Sequence, residues 1–552
     1  MPSSPSGAWA VVSAIGLSWA LPLHAETLTV ATTSDKGPAS LREAIDLARD
    51  GDTIVFAPSL AGRIITLADE IRISRSVWIA GPGAAVLTIS GGGTSRIFTL
   101  AAGISVRIDG LTLTRGRASG QMGGGAILNL RSVLRLNGDA FTYNEARDSP
   151  AQQFTHGGAI VNLGGALVAV DSTFMFNRSV GSDGASGAVG GAVLNGDIVG
   201  SKTAPYSSAH FINCVFSGNR SVGGNGGSMP SRYSALNVGA AGAIMNGNNA
   251  LLTIEDSTFT DNRALGGNGA SGAAGSDWYF VGSGEGGAID NWGQLVVRRS
   301  TFSYNQALGG SDNTSGAQGF GFVGIADAGA IQTVGTATIS DTTFDHNDAI
   351  GGHGNRYVGG TAYVGWGHGG AIGNPLAADT LTLDHVSFVA NRAIGGDANA
   401  GSSDDHPGAG LGGAVATFLG ASTTIDRCIF DGNQAMGGTG ADGLGGALSN
   451  WFGSDLTISS SSITDSLAAG GAGGSGMGGA IWNDGPSLSA GNSGLPAVLR
   501  ILSGTVTGNS ATTSGGGVFA VPGGLACANA SISGNLAAGA PNDVNVALSS
   551  CP

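Results

Sequence analysis

Gly286-Gly287-Ala288-Ile289-Asp290-Asn291, followed by Ser300-Thr301-Phe302-Ser303-Tyr304-Asn305, is one copy of a phrase that runs through most of this chain. The Ala of the phrase returns at Ala126, Ala159, Ala192, Ala243, Ala288, Ala330, Ala371, Ala414, Ala447 and Ala480, with a degenerate copy at Gly516-Gly517-Val518. A fixed phrase repeated at this length means one structural unit stacked on itself. The copies stand from 33 residues apart (Ala126 to Ala159) to 51 apart (Ala192 to Ala243), and the glycine-rich tail after each Asn-x-Ala absorbs most of the difference. Each unit reads as three short strands, around Gly-Ala-Ile, Leu-Thr-Ile and Ser-Thr-Phe, joined by two tight turns and one variable loop.

Two asparagine series mark the turns. One holds Asn129, Asn162, Asn195, Asn246, Asn291, Asn374, Asn450 and Asn483; the other holds Asn144, Asn177, Asn219, Asn262, Asn305, Asn347, Asn391, Asn433 and Asn509. Asn accepts the left-handed conformation and bonds to its own backbone, as sharp corners require. Stacked coils also let each amide bond to the one above and below it. The phenylalanines at 141, 174, 216, 259, 302, 344, 388 and 430 then form one interior column, and Ile127, Ile160, Val193, Ile244 and Ile289 another. The expected fold is all-β: a parallel β-helix solenoid.

Composition agrees. The 552 residues include 100 glycines without a collagen period, and apolar content is ordinary. The formal net charge of −14 argues against a nucleic-acid partner. Residues 1–25 read as a secretory signal peptide built on the apolar run 8–23, so the expected location is secreted or on the outer cell surface. No later run of the sequence is long and apolar enough for a membrane-spanning helix. Residues 26–120 read as an N-terminal cap and first coils, 121–520 as the repeat β-helix, and 521–552 as a C-terminal cap. Ser40-Leu41-Arg42-Glu43 is a capping box that opens a short helix with Leu41, Ala44, Ile45 and Ala48 on one face. Cys214 and Cys428 read as small core residues, whereas Cys527 and Cys551 are expected to form a disulfide that closes the C-terminal end.

Leu41-Arg42-Glu43-Ala44-Ile45, Gly51-Asp52-Thr53-Ile54 and Ile79-Ala80-Gly81-Pro82-Gly83-Ala84 resemble the N-terminal region of secreted bacterial right-handed β-helix proteins. The Gly-Gly-Ala-Ile and Phe-x-x-Asn phrases resemble the repeats of chlamydial-type polymorphic outer membrane proteins. The resemblance covers nearly the whole chain after the signal segment and implies a right-handed helix and export. It carries over no catalytic residues. The pectate lyase-like superfamily shares the architecture, and fold alone does not give activity.

Chemistry-bearing residues are sparse in this reading. Asp171, Asp256, Asp341, Asp384 and Asp426 recur with the repeat and read as turn residues. Asp442 matches a single Ca²⁺-binding nonapeptide, too little for a β-roll. No metal site and no cofactor are expected. His156 and His368 each precede Gly-Gly-Ala, while His346, His353 and His385 are candidates to meet across neighbouring coils. Three consecutive tails are aromatic: Trp278 and Tyr279, then Phe320 and Phe322, then Tyr357, Tyr363 and Trp366. They leave the same corner of successive coils, and loops on one face of a solenoid often bind ligand. Asp277, Glu285 and Asp327 lie beside them in sequence. The expectation is a non-catalytic binding or adhesion protein whose exposed rings hold a polysaccharide or cell-surface ligand. The alternative is a polysaccharide lyase or glycoside hydrolase, which predicts instead a local cluster of titratable side chains with shifted pKa values.

Overall fold

The computed structural model describes residues 25–120, 122–147, 153–184, 186–198, 205–228, 235–272, 278–315, 320–358, 361–376, 379–401, 406–484 and 496–545. It is a right-handed parallel β-helix, 51% strand and 2% helix. The segment expected to be a signal peptide, residues 1–25, lies outside the described residues, apart from Ala25.

Each coil passes through a wide sheet, turns at an asparagine, and enters a second sheet that includes Arg178–Val180 and Arg220–Val222. It then returns through a third sheet that includes Ile244–Asn246 and Ile289–Asn291. Pairing is parallel and in register from coil to coil, as in Ile244 with Ile289 and Phe259 with Phe302. The Phe column is continuous: Phe174, Phe216, Phe259 and Phe302 stack with centroids 4.6 Å apart and nearly parallel planes. These rings are fully buried in one apolar core that runs the length of the rod.

The asparagine series are hydrogen-bonded ladders. Asn262 Nδ2 donates to Asn305 Oδ1 at 2.9 Å and to the Phe216 carbonyl at 2.9 Å, and Asn219 donates to Asn262 in turn. The other series runs from Asn129 through Asn162, Asn195 and Asn246 to Asn291, where Thr333 takes the next rung. The Gly-Gly of the repeat phrase has two separate causes. Gly286 has φ +59°, and a Cβ on Gly287 would stand 2.0 Å from the Gly329 carbonyl of the next coil.

The coil holds more strands than the three expected. A fourth stack precedes the repeat phrase, with Gly239–Ala240, Gly284–Glu285, Ala326–Asp327 and Gly367–His368 as consecutive members. The glycine-rich tails are not irregular loops either. Trp278–Val281, Phe320–Val323 and Thr361–Val364 pair in parallel, and so do Ser271–Gly272, Thr314–Ser315 and Arg356–Tyr357. A third asparagine ladder pins them: the Ala270 and Asn313 amides donate to Asn313 and Asn355 side chains, and the Asn355 amide to Asn399. The tails therefore form a lateral extension stacked beside the main helix.

At the N-terminal end, the helix Leu41–Leu47 covers the first coils, with Leu41, Ala44 and Ile45 buried. Ser40 Oγ accepts from the Glu43 amide at 3.2 Å, and Glu43 reaches back to the Ala39 amide at 2.6 Å. Cys214 and Cys428 are free and buried, and burial pushes their thiols up to about 11 and about 12. Cys527 is disulfide-bonded; Cys551 lies outside the described residues. No helix among the described residues is long and apolar enough to cross a membrane.

Candidate active site

Two columns of side chains face the cleft between the main helix and its lateral extension. The first is the residue just before the repeat phrase. Read along the rod it is His156, Val189, Ala240, Glu285, Asp327, His368, Leu411, Leu444 and Met477, all register partners. The second is the residue after the repeat Ile: Leu128, Val161, Leu194, Met245, Asp290, Gln332, Gly373, Ala416, Ser449 and Trp482. Around the middle, both columns are mainly apolar and feed two side clusters. One is built on Leu194, Val189 and Met245, the other on Trp366, Phe418, Trp451 and Trp482. At the centre the columns turn polar on consecutive coils: Glu285 with Asp290, Asp327 with Gln332, then His368 beside Gly373.

These side chains are buried, Glu285 only 6% exposed and Asp290 not at all. Asp327 has partners on both oxygens. His368 Nδ1 lies 2.9 Å from Oδ1, and Gln332 Nε2 donates to Oδ2 at 3.2 Å. Gly373 makes room for this carboxylate, since a Cβ there would stand 2.2 Å from Asp327 Oδ1. Glu285 Oε1 and both Asp290 oxygens lack a hydrogen-bond partner of normal geometry among the described residues. Burial, followed by the charges of Asp290 and Asp327, raises the Glu285 carboxyl well above its ordinary pKa. Burial and then Asp327 do the same to Asp290, partly offset by the nearby Trp292 indole. Buried carboxyls left without partners in an apolar cleft are costly to keep for structure alone.

A cavity of about 440 Å³ opens over this patch, lined by Glu285, Trp292, Phe280, Met245, Gln332 and Leu376 among others. A smaller hollow continues past Asp327 and His368 to Trp366 and Phe418. Among the described residues neither lining contains a Lys or an Arg. Among the described residues no group of three or more His, Cys, Asp or Glu is placed to hold a metal ion.

The aromatic strip meets a different fate from the one expected. Its backbone strands do lie side by side, but the rings face inward: Tyr363 is fully buried, Trp366 is 2% exposed, and Phe322 and Tyr357 are buried too. Phe280 stacks on Phe322 at 4.7 Å, and Tyr363 packs on Trp366 at 4.1 Å. The side chains of Trp278, Tyr279 and Phe320 lie outside the described residues, as does Asp277. The rings fold inward because they are the apolar filling between the main helix and an extension that is itself stranded.

The other candidates separate. His346, His353 and His385 do not meet. Each sits at its own exposed position, nearest to Asp345, Asp397 and Asp384 respectively. Asp171, Asp256 and Asp341 have φ near +50°, in keeping with turn residues. Asp442 is held by His406 Nδ1 at 2.8 Å and by the Ser475 amide at 2.7 Å, as a structural carboxylate. Glu285, Asp327 and His368 each stood out in the sequence separately. The signal that unites them is their shared place before the repeat phrase in three consecutive units.

No known protein family's sequence pattern matches the chain, and no curated protein does. Among solved structures, the chain is similar to the catalytic unit of a thermostable GH87 alpha-1,3-glucanase from Streptomyces thermodiastaticus. Identity is 10%, the TM-score 0.38, and the match covers 87% of this chain and 68% of that one. It is also similar to a mannuronic acid-specific polysaccharide family 6 lyase from human gut microbiota, at 10% identity and TM-score 0.33, covering 79% and 86%. A third is an alginate lyase from a Paenibacillus species, at 14% identity and TM-score 0.23, covering 65% and 95%. Likeness this distant bears on fold alone, and the parallel β-helix rests on the chain's own strand stacks. The expectation of a non-catalytic adhesion protein is corrected. Of the rings meant for binding, Phe322, Tyr357, Tyr363 and Trp366 are buried, and the titratable cluster that distinguishes an enzyme is present.

Proposed function

We propose that this protein is a glycoside hydrolase acting on a polysaccharide, with Glu285 as general acid and Asp327 as its carboxylate partner. The observation that carries this reading is the contrast between the two groups on adjacent coils. Glu285 lines the cavity, is pushed toward its protonated form, and holds Oε1 buried without a hydrogen-bond partner among the described residues. Asp327 has hydrogen-bond partners suited to a carboxylate on both sides. Glycosidic cleavage needs such a division of labour. The Glu285 proton goes to the leaving oxygen as the C–O bond breaks, and Asp327 provides the negative charge that the anomeric centre or its attacking water requires. Asp290 does not line the cavity; it is a positioning residue whose carboxyl, buried beside Glu285, keeps the two from ionising together and so favours a proton on Glu285.

The cleft lining also supports a neutral sugar over a uronate. Among the described residues the hollow carries acidic groups and no Lys or Arg, so a substrate carboxylate would meet like charges, which repel strongly at low dielectric. Elimination from a uronate also needs that carboxylate neutralised. Export through residues 1–25, a secreted or cell-surface location, and repeats of the polymorphic outer membrane protein kind belong to the same proposal. The apolar run 8–23 and the Phe-x-x-Asn phrases support them.

The test is incubation with a panel of neutral glucans, mannans and xylans beside polyuronates. New reducing ends without unsaturated sugars are expected, and Glu285→Gln and Asp327→Asn should abolish them. Unsaturated products from a polyuronate would make the protein a lyase instead, and equal activity in the variants would remove these residues from the chemistry.

A further inference from the structure

On the far side of the asparagine corner, the second sheet shows a charge pattern opposite to that of the whole chain. Arg178, Arg220 and Arg263 are register partners on three successive coils. In-register neighbours on a sheet stand about 4.8 Å apart, and like charges directly opposite are destabilising. Just before them, Arg115, Arg117, Tyr143, Arg147 and Arg178 surround an open hollow of about 310 Å³. Glu145 sits in its wall, ion-paired to Arg147 at 2.7 Å and to Arg178, with Arg117 at 3.9 Å. Against these six arginines the same strands and corners offer two acids, Glu145 and Asp261. Arg115, Arg220 and Arg263 have no ion pair among the described residues. Arg263 Nε is buried and lacks a hydrogen-bond partner. The flat Tyr143 ring is 60% exposed beside them and stacks on Phe176 at 5.3 Å.

We propose that this face binds a carboxylated polysaccharide lying along the rod. A row of guanidinium groups one coil apart repels itself unless an anion with repeated charges lies on it, and Arg pairs with carboxylates through two parallel hydrogen bonds. Tyr143 and Phe176 supply the apolar edge against which sugar C–H groups pack. The face lies on a different sheet from the cleft of Glu285 and Asp327, so it stands whether or not that cleft cleaves sugars.

Binding to immobilised polygalacturonate, heparin, dextran and duplex DNA tests it with the full-length protein. Expected are retention on polygalacturonate that falls steeply with salt, no retention on dextran, and at least a tenfold loss for the triple variant Arg178→Gln, Arg220→Gln and Arg263→Gln. Glu145→Gln should tighten binding, because it frees guanidinium groups. Glu285→Gln, in the cleft, should bind as wild type. The triple variant should melt no lower than wild type, since the stacked like charges are gone. Stronger retention on DNA than on polygalacturonate, or an unchanged triple variant, would overturn the proposal.

Discussion

Asp327 and His368 are register partners on adjacent coils, and their side chains meet at 2.9 Å in the buried polar centre of the cleft. The pair is the junction between two demands. The coil register places the two side chains one above the other, and burial requires that each have a partner. A double-mutant cycle should expose the coupling. Asp327→Asn and His368→Asn together should cost less activity than the sum of the singles, with a coupling of about 1.5–3 kcal/mol in transition-state stabilisation. Additive losses, measured as kcat/KM on whichever glycan is cleaved, would mean that His368 does not act through Asp327.

Gly373 offers a cleaner lever on the same carboxylate. Its Cβ would intrude to 2.2 Å from Asp327 Oδ1, and its neighbours in the column are Gln332 and Ala416. Gly373→Ala should displace the Asp327 carboxylate and lower kcat by about 10²-fold or more, while leaving melting within a few degrees of wild type. Retained activity in this variant would show that the carboxylate has room to adjust and is not fixed by its neighbours.

Stability should fall as pH rises across the neutral range. Glu285 and Asp290 are both raised well above their ordinary values, and burial pushes Asp139 to about 8 and Asp379 to about 7. A carboxyl with a raised native pKa binds more protons folded than unfolded. Its contribution is therefore full below the ordinary value of 3.8 and is lost as pH climbs through the native value. Thermal melting at pH 5 and pH 9 should show the higher midpoint at pH 5. Asp290→Asn should narrow the gap, by removing a group whose charge the site opposes. A wild-type midpoint that rises from pH 5 to pH 9 would contradict the burial-driven shifts.

The stacked core was legible in the sequence because it is periodic. Phe141 through Phe430 and the asparagines each keep one place in the unit, with Thr333 and Thr417 standing in for two of the asparagines, so a single copy predicts nearly all of them. The tails were misread because their period is hidden in variable length. Yet Gly309-Gly310-Ser311-Asp312-Asn313, Gly351-Gly352-His353-Gly354-Asn355 and Gly395-Gly396-Asp397-Ala398-Asn399 share a Gly-Gly-x-x-Asn signature. Their second glycines pack on the preceding coil, where a Cβ on Gly310, Gly352 or Gly396 would stand 1.9 Å from a glycine carbonyl. That signature makes strands, and strands with aromatic residues bury them. The site was harder still. Glu285, Asp327 and His368 look unrelated in a linear chain and become one group only when three coils are laid in register.

The corner ladder sets a gradient of cost along the rod. Asn262 donates to Asn305 and accepts from Asn219, and its own amide bonds to the Asn305 side chain at 3.1 Å. Asn433 accepts from Asn391 but donates only to the carbonyls of Phe388 and Asp431. Removing either side chain strands buried groups, at about 1–3 kcal/mol for each one left unsatisfied. Asn262→Ala breaks the run on both sides and should destabilise more than Asn433→Ala. Hydrogen exchange of the flanking corner amides checks this locally; equal protection loss in the two variants would argue against a cooperative ladder.

The helix Leu41–Leu47 closes the N-terminal end of a core that would otherwise present apolar side chains to water. Leu41, Ala44, Ile45 and Ala48 belong to the same continuous core as the first coils. Arg42 ties the helix to Asp35 at 2.7 Å and to the Asp69 and Glu70 carbonyls beneath it. Ser40→Ala removes the oxygen that caps the Glu43 amide and should cost about 1 kcal/mol. Leu41→Ala removes a fully buried side chain and should cost about 2–5 kcal/mol. Deleting residues 40–50 uncovers the stack end, and an uncapped parallel solenoid is open to edge-to-edge association. Light scattering during a thermal ramp should therefore show aggregation at lower temperature in the order deletion, Leu41→Ala, Ser40→Ala, wild type. A deletion variant that remains monomeric with an unchanged midpoint would show that the first coil is closed by some other element.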